Sequence, residues 1–272
     1  SDEYLNEYIS PNAERLNFIT NFSGSAGRAI ITPTDAFLYV DGRYTFQANT
    51  QINAKEIQPK HLNSFWTDLE KILLEAEYKI ALDPTLHSII EIEKVEKMLE
   101  NSTSQLQLID KNFVDLIWEN QPKTQYTDIF DHPTSFAGQG RREKLDILKK
   151  FLDQNEIDHY FISGLDNIAW LLNLRADDIK YTPLLYSYLL ISKNNKHSLY
   201  VNESSMPEIL KKEIQTLINI NNIENIGSIF NNINSSESIG LDFNSTTFYF
   251  LDLLRKQKIN TKNLANPCIL LK

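Results

Sequence analysis

"RAIITPTDAFLYVD", residues 28–41, predicts a β-hairpin, because two apolar runs of β-forming residues flank the turn-forming triplet Pro-Thr-Asp at 33–35. The second run ends in "DGRY", residues 41–44, within a segment whose pattern predicts the start of a helix. Arg43 therefore stands directly after a predicted strand, where a long charged side chain needs an explanation.

The rest of the first half alternates between strand and helix patterns. Apolar residues recur at helical spacing in "SFWTDLEKILLEA" and "SIIEIEKVEKMLE", residues 64–76 and 88–100. The short segments "YKIALD" and "SQLQLID", residues 78–83 and 104–110, predict strands.

The second half repeats this plan. It contains a helix pattern at 141–156, a strand at 157–163, a hairpin at 187–204 and a helix from 208 that Ser205 and Glu208 are predicted to cap. Three short matches recur in the same order in both halves: FITNF (18–22) with WLLNL (170–174), LYVD (38–41) with LYVN (199–202), and ALD (81–83) with GLD (240–242). We therefore predict a duplicated α/β domain, in which each copy combines a hairpin with β-α-β units and so forms a mixed sheet.

A change of composition separates the two copies. Residues 119–140, "ENQPKTQYTDIFDHPTSFAGQG", hold two prolines and two glycines and show no helical period. The predicted domains are residues 1–120 and 141–272, with a linker at 121–140.

Composition excludes several classes of function. The net charge of −9 and the pI of about 5.1 argue against a nucleic-acid or an anionic membrane partner. No apolar run approaches the roughly 18 residues of a membrane span. Cys268 is the one cysteine, so no intrachain disulfide can form, which fits a reducing, cytoplasmic compartment. Its apolar neighbours predict a buried small side chain and not a nucleophile.

A search for catalytic motifs finds none. The five histidines form no H-E-x-x-H motif, and "GSAG", residues 24–27, matches neither G-x-S-x-G nor a P-loop. The glycines of this motif are explained by a tight turn or a close backbone approach, and Ser25 by a structural role. The residues alone predict two catalytically silent domains.

Arg43 has two interpretations. In the first, Asp41 caps a helix and Arg43 pairs with Asp41 or Asp35 at the surface, an interaction worth ~0–1 kcal/mol. In the second, the guanidinium is a fork that binds a carboxylate or a peptide carbonyl. The residues alone favour the surface pair.

Residues 2–48, "DEYLNEYISPNAERLNFITNFSGSAGRAIITPTDAFLYVDGRYTFQA", closely resemble the start of the Xaa-Pro aminopeptidases, the aminopeptidase P family. The resemblance is carried by E-Y-I near the start, by G-S-A-G and by D-G-R-Y. "DNIAWLLNLR" and "YTPLLYSYLLI", residues 166–175 and 181–191, resemble the second domain of that family, and "NPCILLK", residues 266–272, resembles the segment leading into its third.

The resemblance implies the fold: two tandem creatinase amino-terminal-type domains, each a mixed β-sheet flanked by helices. In the long form of the family, a third, "pita-bread" domain holds two Mn²⁺ ions and removes the residue that precedes a proline. We expect no metal-binding and no catalytic residue within residues 1–272, and no peptidase activity from them alone.

One site is carried over from the family. The arginine of D-G-R-Y is associated there with binding the peptide substrate, which implies a substrate-binding role for Arg43, supported by Asp41 and Tyr44. The expected partners are a peptide with proline in second position, the C-terminal domain and a second copy in a homodimer.

The start of the sequence departs from the family pattern. Tyr4 and Asn6 stand where a histidine and a serine are usual, and the family has a helix and a strand ahead of this motif. The first domain is therefore expected to lack its first strand if nothing precedes Ser1.

Two other functions stay open. The chain could be a self-standing binding or assembly protein of creatinase-type domains without peptidase activity. It could also belong to a relative with another substrate, since creatinase and prolidase share the domain type, although the duplication and D-G-R-Y favour the aminopeptidase. An open reading frame that continues into a set of metal ligands would distinguish the enzyme from the stand-alone protein.

Overall fold

The computed structural model describes residues 2–25 and 27–272, which form two compact units. The first comprises Glu7–Pro84 and Glu91–Lys123, and the second comprises Asp2–Asn6, Thr85–Ile90 and Thr124–Lys272. The domain boundaries predicted from the sequence stay a prediction. No helix in the described part of the chain is long and apolar enough to cross a membrane.

The described residues of the first unit form two small sheets. The order of its elements is α1 (Arg15–Thr20), β1 (Gly27–Ile31), β2 (Ala36–Val40), α2 (Thr45–Gln51), β3 (Gln58–His61), α3 (Phe65–Glu75), β4 (Lys79–Leu82), α4 (Ile89–Leu99), β5 (Gln105–Leu108) and α5 (Phe113–Ile117). One sheet has the order β1-β2-β3, with β1 antiparallel and β3 parallel to β2. The other is the parallel pair of β4 and β5.

The second unit has one larger sheet. Its elements are β6 (Phe130–Asp131), α6 (Thr134–Ala137), α7 (Arg141–Gln154), β7 (His159–Ile162), α8 (Leu165–Leu172), β8 (Leu174–Arg175), β9 (Ser187–Ser192), β10 (Ser198–Val201), α9 (Glu208–Gln215), β11 (Asn219–Asn222), β12 (Ser238–Leu241), α10 (Phe248–Lys256), β13 (Asn260–Asn263) and α11 (Pro267–Leu271). Within the described residues, six strands form this sheet in the order β11-β10-β9-β7-β12-β13.

The mixed α/β fold predicted for both halves is confirmed, and the order and direction of strand pairing repeat in the two halves. Leu38 lies opposite Ala29 in β1, and its counterpart Leu199 lies opposite Leu189 in β9. The following pairs, β2 with β3 and β10 with β11, are both parallel. The helix before each hairpin also ends alike, because Asn21 and Asn173 both adopt the left-handed conformation at its C-terminal end.

The two copies differ at the centre of the sheet. In the second unit β7 joins the two halves, antiparallel to β9 and parallel to β12. Among the described residues of the first unit, no strand pairs with both β1 and β4, so the sheet is divided at this point. Every residue of β9 is buried, whereas its counterpart β1 is half-buried and the Ile31 residue is 64% exposed.

The hairpins and helices that define the predicted pattern are confirmed, but one helix cap was wrong. Helix α9 begins at Glu208 with Pro207 as its N-cap, and Ser205 lies in a preceding 3-10 helix, Glu203–Ser205. The segment predicted as a linker contains β6 and α6, and β6 pairs with β8.

The two faces of the larger sheet have different surroundings. Tyr160 and Ile162 of β7 belong to the main apolar cluster, together with residues of α7, α8 and α9. Phe161 faces the other way and packs against Phe230 and Phe250, with ring centroids 5.4 Å and 4.4 Å away. Side chains alternate between the faces of a strand, so His159 shares the face of Phe161.

The residues that depart from the family pattern have defined contacts within the second unit. The ring of Tyr4 stacks on Tyr186 and Tyr188, with centroids 5.1 Å and 4.7 Å away. Asn6 donates its backbone and side-chain N–H groups to the carboxylate of Asp2. Both substituted positions are therefore integrated into local structure.

Candidate functional site

The D-G-R-Y motif forms a tight turn at the end of β2. Asp41 is the N-cap of a 3-10 helix, Gly42–Tyr44, and its carboxylate accepts the backbone N–H of Arg43 at 2.9 Å. This cap satisfies a donor that the helix leaves unpaired at its start. The motif thus fixes the backbone of Arg43 at the point where the strand ends.

Arg43 and Asp41 also form an ion pair. The Nη2 atom of Arg43 lies 2.5 Å from Asp41 Oδ2, and Nε lies 3.1 Å from the same oxygen. The hydrogen bonds from Arg43 hold the pKa of the Asp41 carboxyl below its usual range, and the carboxylate in turn raises the pKa of Arg43. The surface pair with Asp41, one of the two interpretations from the sequence, is present in the structure.

The ion pair occupies one edge of the guanidinium. The contacts to Asp41 use Nε and Nη2, while 71% of the Arg43 side chain stays exposed to solvent. A guanidinium can present its Nη1 and Nη2 edge to a second carboxylate or carbonyl while the first edge is held. Asp41 therefore orients this side chain without blocking it.

Tyr44 connects this turn to the G-S-A-G segment. Its hydroxyl lies 2.8 Å from the Ser25 hydroxyl, and its ring packs edge-on against Phe22, with centroids 5.8 Å apart. The guanidinium carbon of Arg43 lies 5.4 Å from the centre of the Tyr44 ring, within the range of a cation–π contact. Tyr44 thus supports Arg43 from one side.

Close packing explains the first glycine of G-S-A-G. A Cβ atom at Gly24 would lie 2.4 Å from the ring of Phe22 and 2.8 Å from the ring of Tyr44. The predicted close approach is therefore confirmed at this glycine, and Ser25 has the structural contact expected of it. The predicted turn also includes Ala26, which lies outside the described residues.

Sequence reasoning missed His61. The parallel pairing of β2 and β3 places His61 opposite Val40, and its Nε2 atom lies 3.7 Å from where a Cβ on Gly42 would be. His61 Nδ1 accepts the backbone N–H of Asn63, so in the neutral ring Nε2 carries the proton. A prediction that β3 pairs in parallel with β2 would have identified His61, because this pairing places the end of β3 beside the turn that follows β2.

The described residues contain no group of three or more His, Cys, Asp or Glu side chains that could hold a metal ion. The side chains present therefore do not fit a dinuclear metal centre. Cys268 is buried, as predicted, and burial raises the pKa of its thiol to about 12, which leaves it protonated and unreactive.

Comparisons with known proteins agree with this fold. Two family models described as "Creatinase/Prolidase N-terminal domain" match residues 1–111 and residues 120–272. A probable Xaa-Pro aminopeptidase P from Paracoccidioides brasiliensis (strain Pb03) is 34% identical over 217 residues, which are 78% of this chain and 35% of that protein. One from Aspergillus niger is 36% identical over 213 residues, which are 76% of this chain and 34% of that protein.

A solved structure shows the same fold. The X-prolyl aminopeptidase from Caenorhabditis elegans, described as a cytosolic enzyme with a di-nuclear active site, superposes with a TM-score of 0.90 at 23% identity. The alignment covers 100% of this chain and 47% of that protein. The chain spans 35% of the length of the first curated relative. With one matching domain in each half, the chain belongs to the creatinase/prolidase N-terminal domain family.

Proposed function

We propose that residues 1–272 are the non-catalytic amino-terminal region of a cytoplasmic, manganese-dependent Xaa-Pro aminopeptidase. In this proposal a C-terminal pita-bread domain binds two Mn²⁺ ions and cleaves peptides with proline in second position, in a homodimeric enzyme. The resemblance to Xaa-Pro aminopeptidases P over about three quarters of the chain supports it. These relatives extend well beyond the matched segment, which leaves room for a separate metal-binding domain.

The observation that carries a role for the first unit is the geometry of Arg43. An exposed guanidinium stands on a capped 3-10 turn, held on one edge by Asp41 and supported by Tyr44. A positioned arginine of this kind binds a peptide carbonyl or carboxylate with little loss of side-chain freedom. In the proposal, Arg43 shapes substrate access by holding part of the peptide outside the metal site.

Replacement of Arg43 in the full-length protein tests this role. We expect Arg43→Ala to lower kcat/KM for Xaa-Pro peptides by about tenfold, since a hydrogen bond to a charged group contributes roughly 1.5–3 kcal/mol and this one is exposed. Arg43→Lys should recover only part of the loss, because lysine keeps the charge but lacks the fork. Steady-state kinetics with a series of Xaa-Pro peptides measures both effects.

Arg142→Ala is the matched control, because Arg142 is an exposed arginine on α7, outside the turn. It should leave kcat/KM unchanged. Unchanged kinetics in Arg43→Ala would reduce Arg43 to a partner of Asp41 in a surface ion pair. Residues 1–272 alone, supplied with Mn²⁺, should show no turnover, and proline-dependent cleavage by the pure segment would refute the assignment of catalysis to another domain.

A further inference from the structure

A polar cavity of about 870 Å³ lies within the second unit. Its floor is one face of the larger sheet, where His159, Ser192, Ser198 and Tyr200 come from β7, β9 and β10. Its opposite wall is residues 229–237, ahead of β12. Its lining residues belong to the second unit, whereas the residues of the D-G-R-Y turn belong to the first.

Neutral amides are the most numerous polar side chains in the lining of this cavity, and its two charged residues, Lys196 and Glu237, have opposite signs. Six amide side chains contribute: Asn194, Gln215, Asn219, Asn221, Asn232 and Asn234. Each side-chain amide has an NH2 group that donates hydrogen bonds and a carbonyl oxygen that accepts them, and it carries no charge. Pockets for drug-like ligands are lined mainly by apolar groups, so this lining selects a polar ligand.

One buried side chain on the floor has an unsatisfied polar atom. The side chain of His159 is 7% exposed, and its Nδ1 atom lies 2.9 Å from the Ser192 hydroxyl. Its Nε2 atom makes no well-aligned hydrogen bond within the described part of the chain, and the nearest carboxylate oxygen, Glu237 Oε2, is 3.5 Å away. A buried polar atom without a hydrogen bond destabilises the folded state, so a ligand atom that satisfies it gains affinity.

Glu237 defines what that ligand atom should be. Its Oε2 atom lies 3.5 Å from His159 Nε2, and the backbone N–H of Asn234, at 2.8 Å, holds the pKa of the Glu237 carboxyl below its usual range. The carboxylate favours the tautomer with a proton on Nε2, leaving the Ser192 hydroxyl to donate to Nδ1. A hydroxyl group that bridges the pair accepts a hydrogen bond from His159 Nε2–H and donates one to Glu237. An ammonium group has no acceptor and cannot accept the hydrogen bond from Nε2–H.

We propose that this cavity binds a neutral polyhydroxylated ligand, with one hydroxyl bridging His159 and Glu237 and others paired with the amide side chains. The cavity volume is within the range of small-molecule sites, and vicinal hydroxyls match the donor and acceptor pairs of amides. This site does not depend on the proposed peptidase function.

Titration of residues 1–272 with D-glucose, followed by NMR of the backbone amides and of the His159 ring nitrogens, tests the proposal. We expect millimolar binding with shifts at His159 Nε2 and at Asn221. Glycine and inorganic phosphate are the zwitterionic and anionic comparisons, and both should bind at least tenfold more weakly. Tighter binding of glycine or phosphate than of glucose overturns the proposal, as does the absence of any shift.

Two variants confirm the location. Glu237→Ala removes the acceptor of the bridging hydroxyl and should weaken glucose binding at least fivefold. Asn221→Ala, on the sheet face, should weaken it at least twofold and keeps the test decisive if the first variant folds poorly. Asn101→Ala, an exposed asparagine of the first unit, is the matched control and should have no effect. Binding that survives both cavity variants places the ligand elsewhere and also overturns the proposal.

Discussion

His197 is a buried titratable residue whose environment disfavours charge. Its Nδ1 atom accepts the backbone N–H of Ser192 at 3.1 Å, which requires an unprotonated nitrogen. Burial, with a smaller contribution from Lys149, lowers the pKa of His197 to about 4, against an opposing effect of Asp146. The folded protein therefore holds this ring neutral at pH values where an unfolded chain would protonate it.

We predict that His197 makes the protein less stable as the pH falls from about 6.5 to about 4. The folded pKa lies below the unfolded value, so the unfolded state binds the proton first and gains stability in this window. Between pH 7 and pH 5 this one group should remove about 2 kcal/mol from the free energy of unfolding.

Urea unfolding at pH 7 and pH 5 measures the effect of His197. In His197→Gln the loss between the two pH values should be smaller by that amount, whereas His61→Gln, which changes an exposed histidine, should retain it. An identical pH dependence in His197→Gln would contradict the prediction.

Sequence motifs located part of the candidate site but not all of it. Asp41, Arg43 and Tyr44 are neighbours in the chain, so D-G-R-Y and the capping preference of aspartate were enough to predict their local arrangement. Ser25 and His61 reach the same turn through tertiary contact and through strand pairing. No local propensity encodes these contacts, because they depend on the register of distant segments.

Among the helices, α7 and α8 are joined by a buried charge. Lys144 of α7 is 1% exposed, and its ammonium donates to the carbonyl of Trp170 and to the side-chain oxygen of Asn173, both at 2.7 Å. The ammonium also lies 4.4 Å from the centre of the Trp170 ring. Lys144 thus provides a hydrogen-bond donor at the C-terminal end of α8, where backbone carbonyls have no partner within the helix.

We predict that Lys144→Ala lowers the free energy of unfolding by about 2–4 kcal/mol. The change removes a buried aliphatic chain and leaves the Trp170 carbonyl and the Asn173 amide oxygen without this donor. Lys150→Ala, at an exposed position of the same helix, should change stability by about 0.5 kcal/mol or less. Denaturant unfolding of the two variants compares them, and equal effects would show that the buried contacts contribute nothing.

Local sequence patterns predicted which segments are helices and strands, but they misplaced the N-terminal cap of α9. The Ser205-to-Glu208 pattern fits a capping box, but a residue before proline is pushed into extended conformation, and Met206 has φ −99° and ψ 117°. The helix therefore begins after Pro207. The proline rule outweighed the capping preference because steric exclusion costs more than one cap hydrogen bond contributes.

Across the whole molecule, the duplication gives two units of one topology but unequal sheets. The sequence repeats made the shared topology predictable, since the strands of both units pair in the same order and with the same directions. The burial of the strands was not predictable from those repeats. It depends on β7, which pairs with both β9 and β12 in the second unit.

We predict that backbone amides of β1 and β4 exchange with solvent at least about 100-fold faster than those of β9 and β12. A strand paired on one side leaves half of its backbone groups outside the ladder and opens at lower free energy than a strand paired on both sides. Hydrogen exchange followed by NMR on residues 1–272 measures the rates residue by residue.

The strands β2 and β10 are the matched control for this comparison. Each lies between two paired strands in its own sheet, so their amides should differ far less between the units than those of β1 and β9. If β2 exchanged as fast as β1, the first unit would be unstable as a whole and the divided sheet would not be the cause. If β1 and β4 were instead as protected as β9 and β12, their edges would be covered in solution. The ratio within each unit therefore separates a local effect of the divided sheet from a difference in global stability.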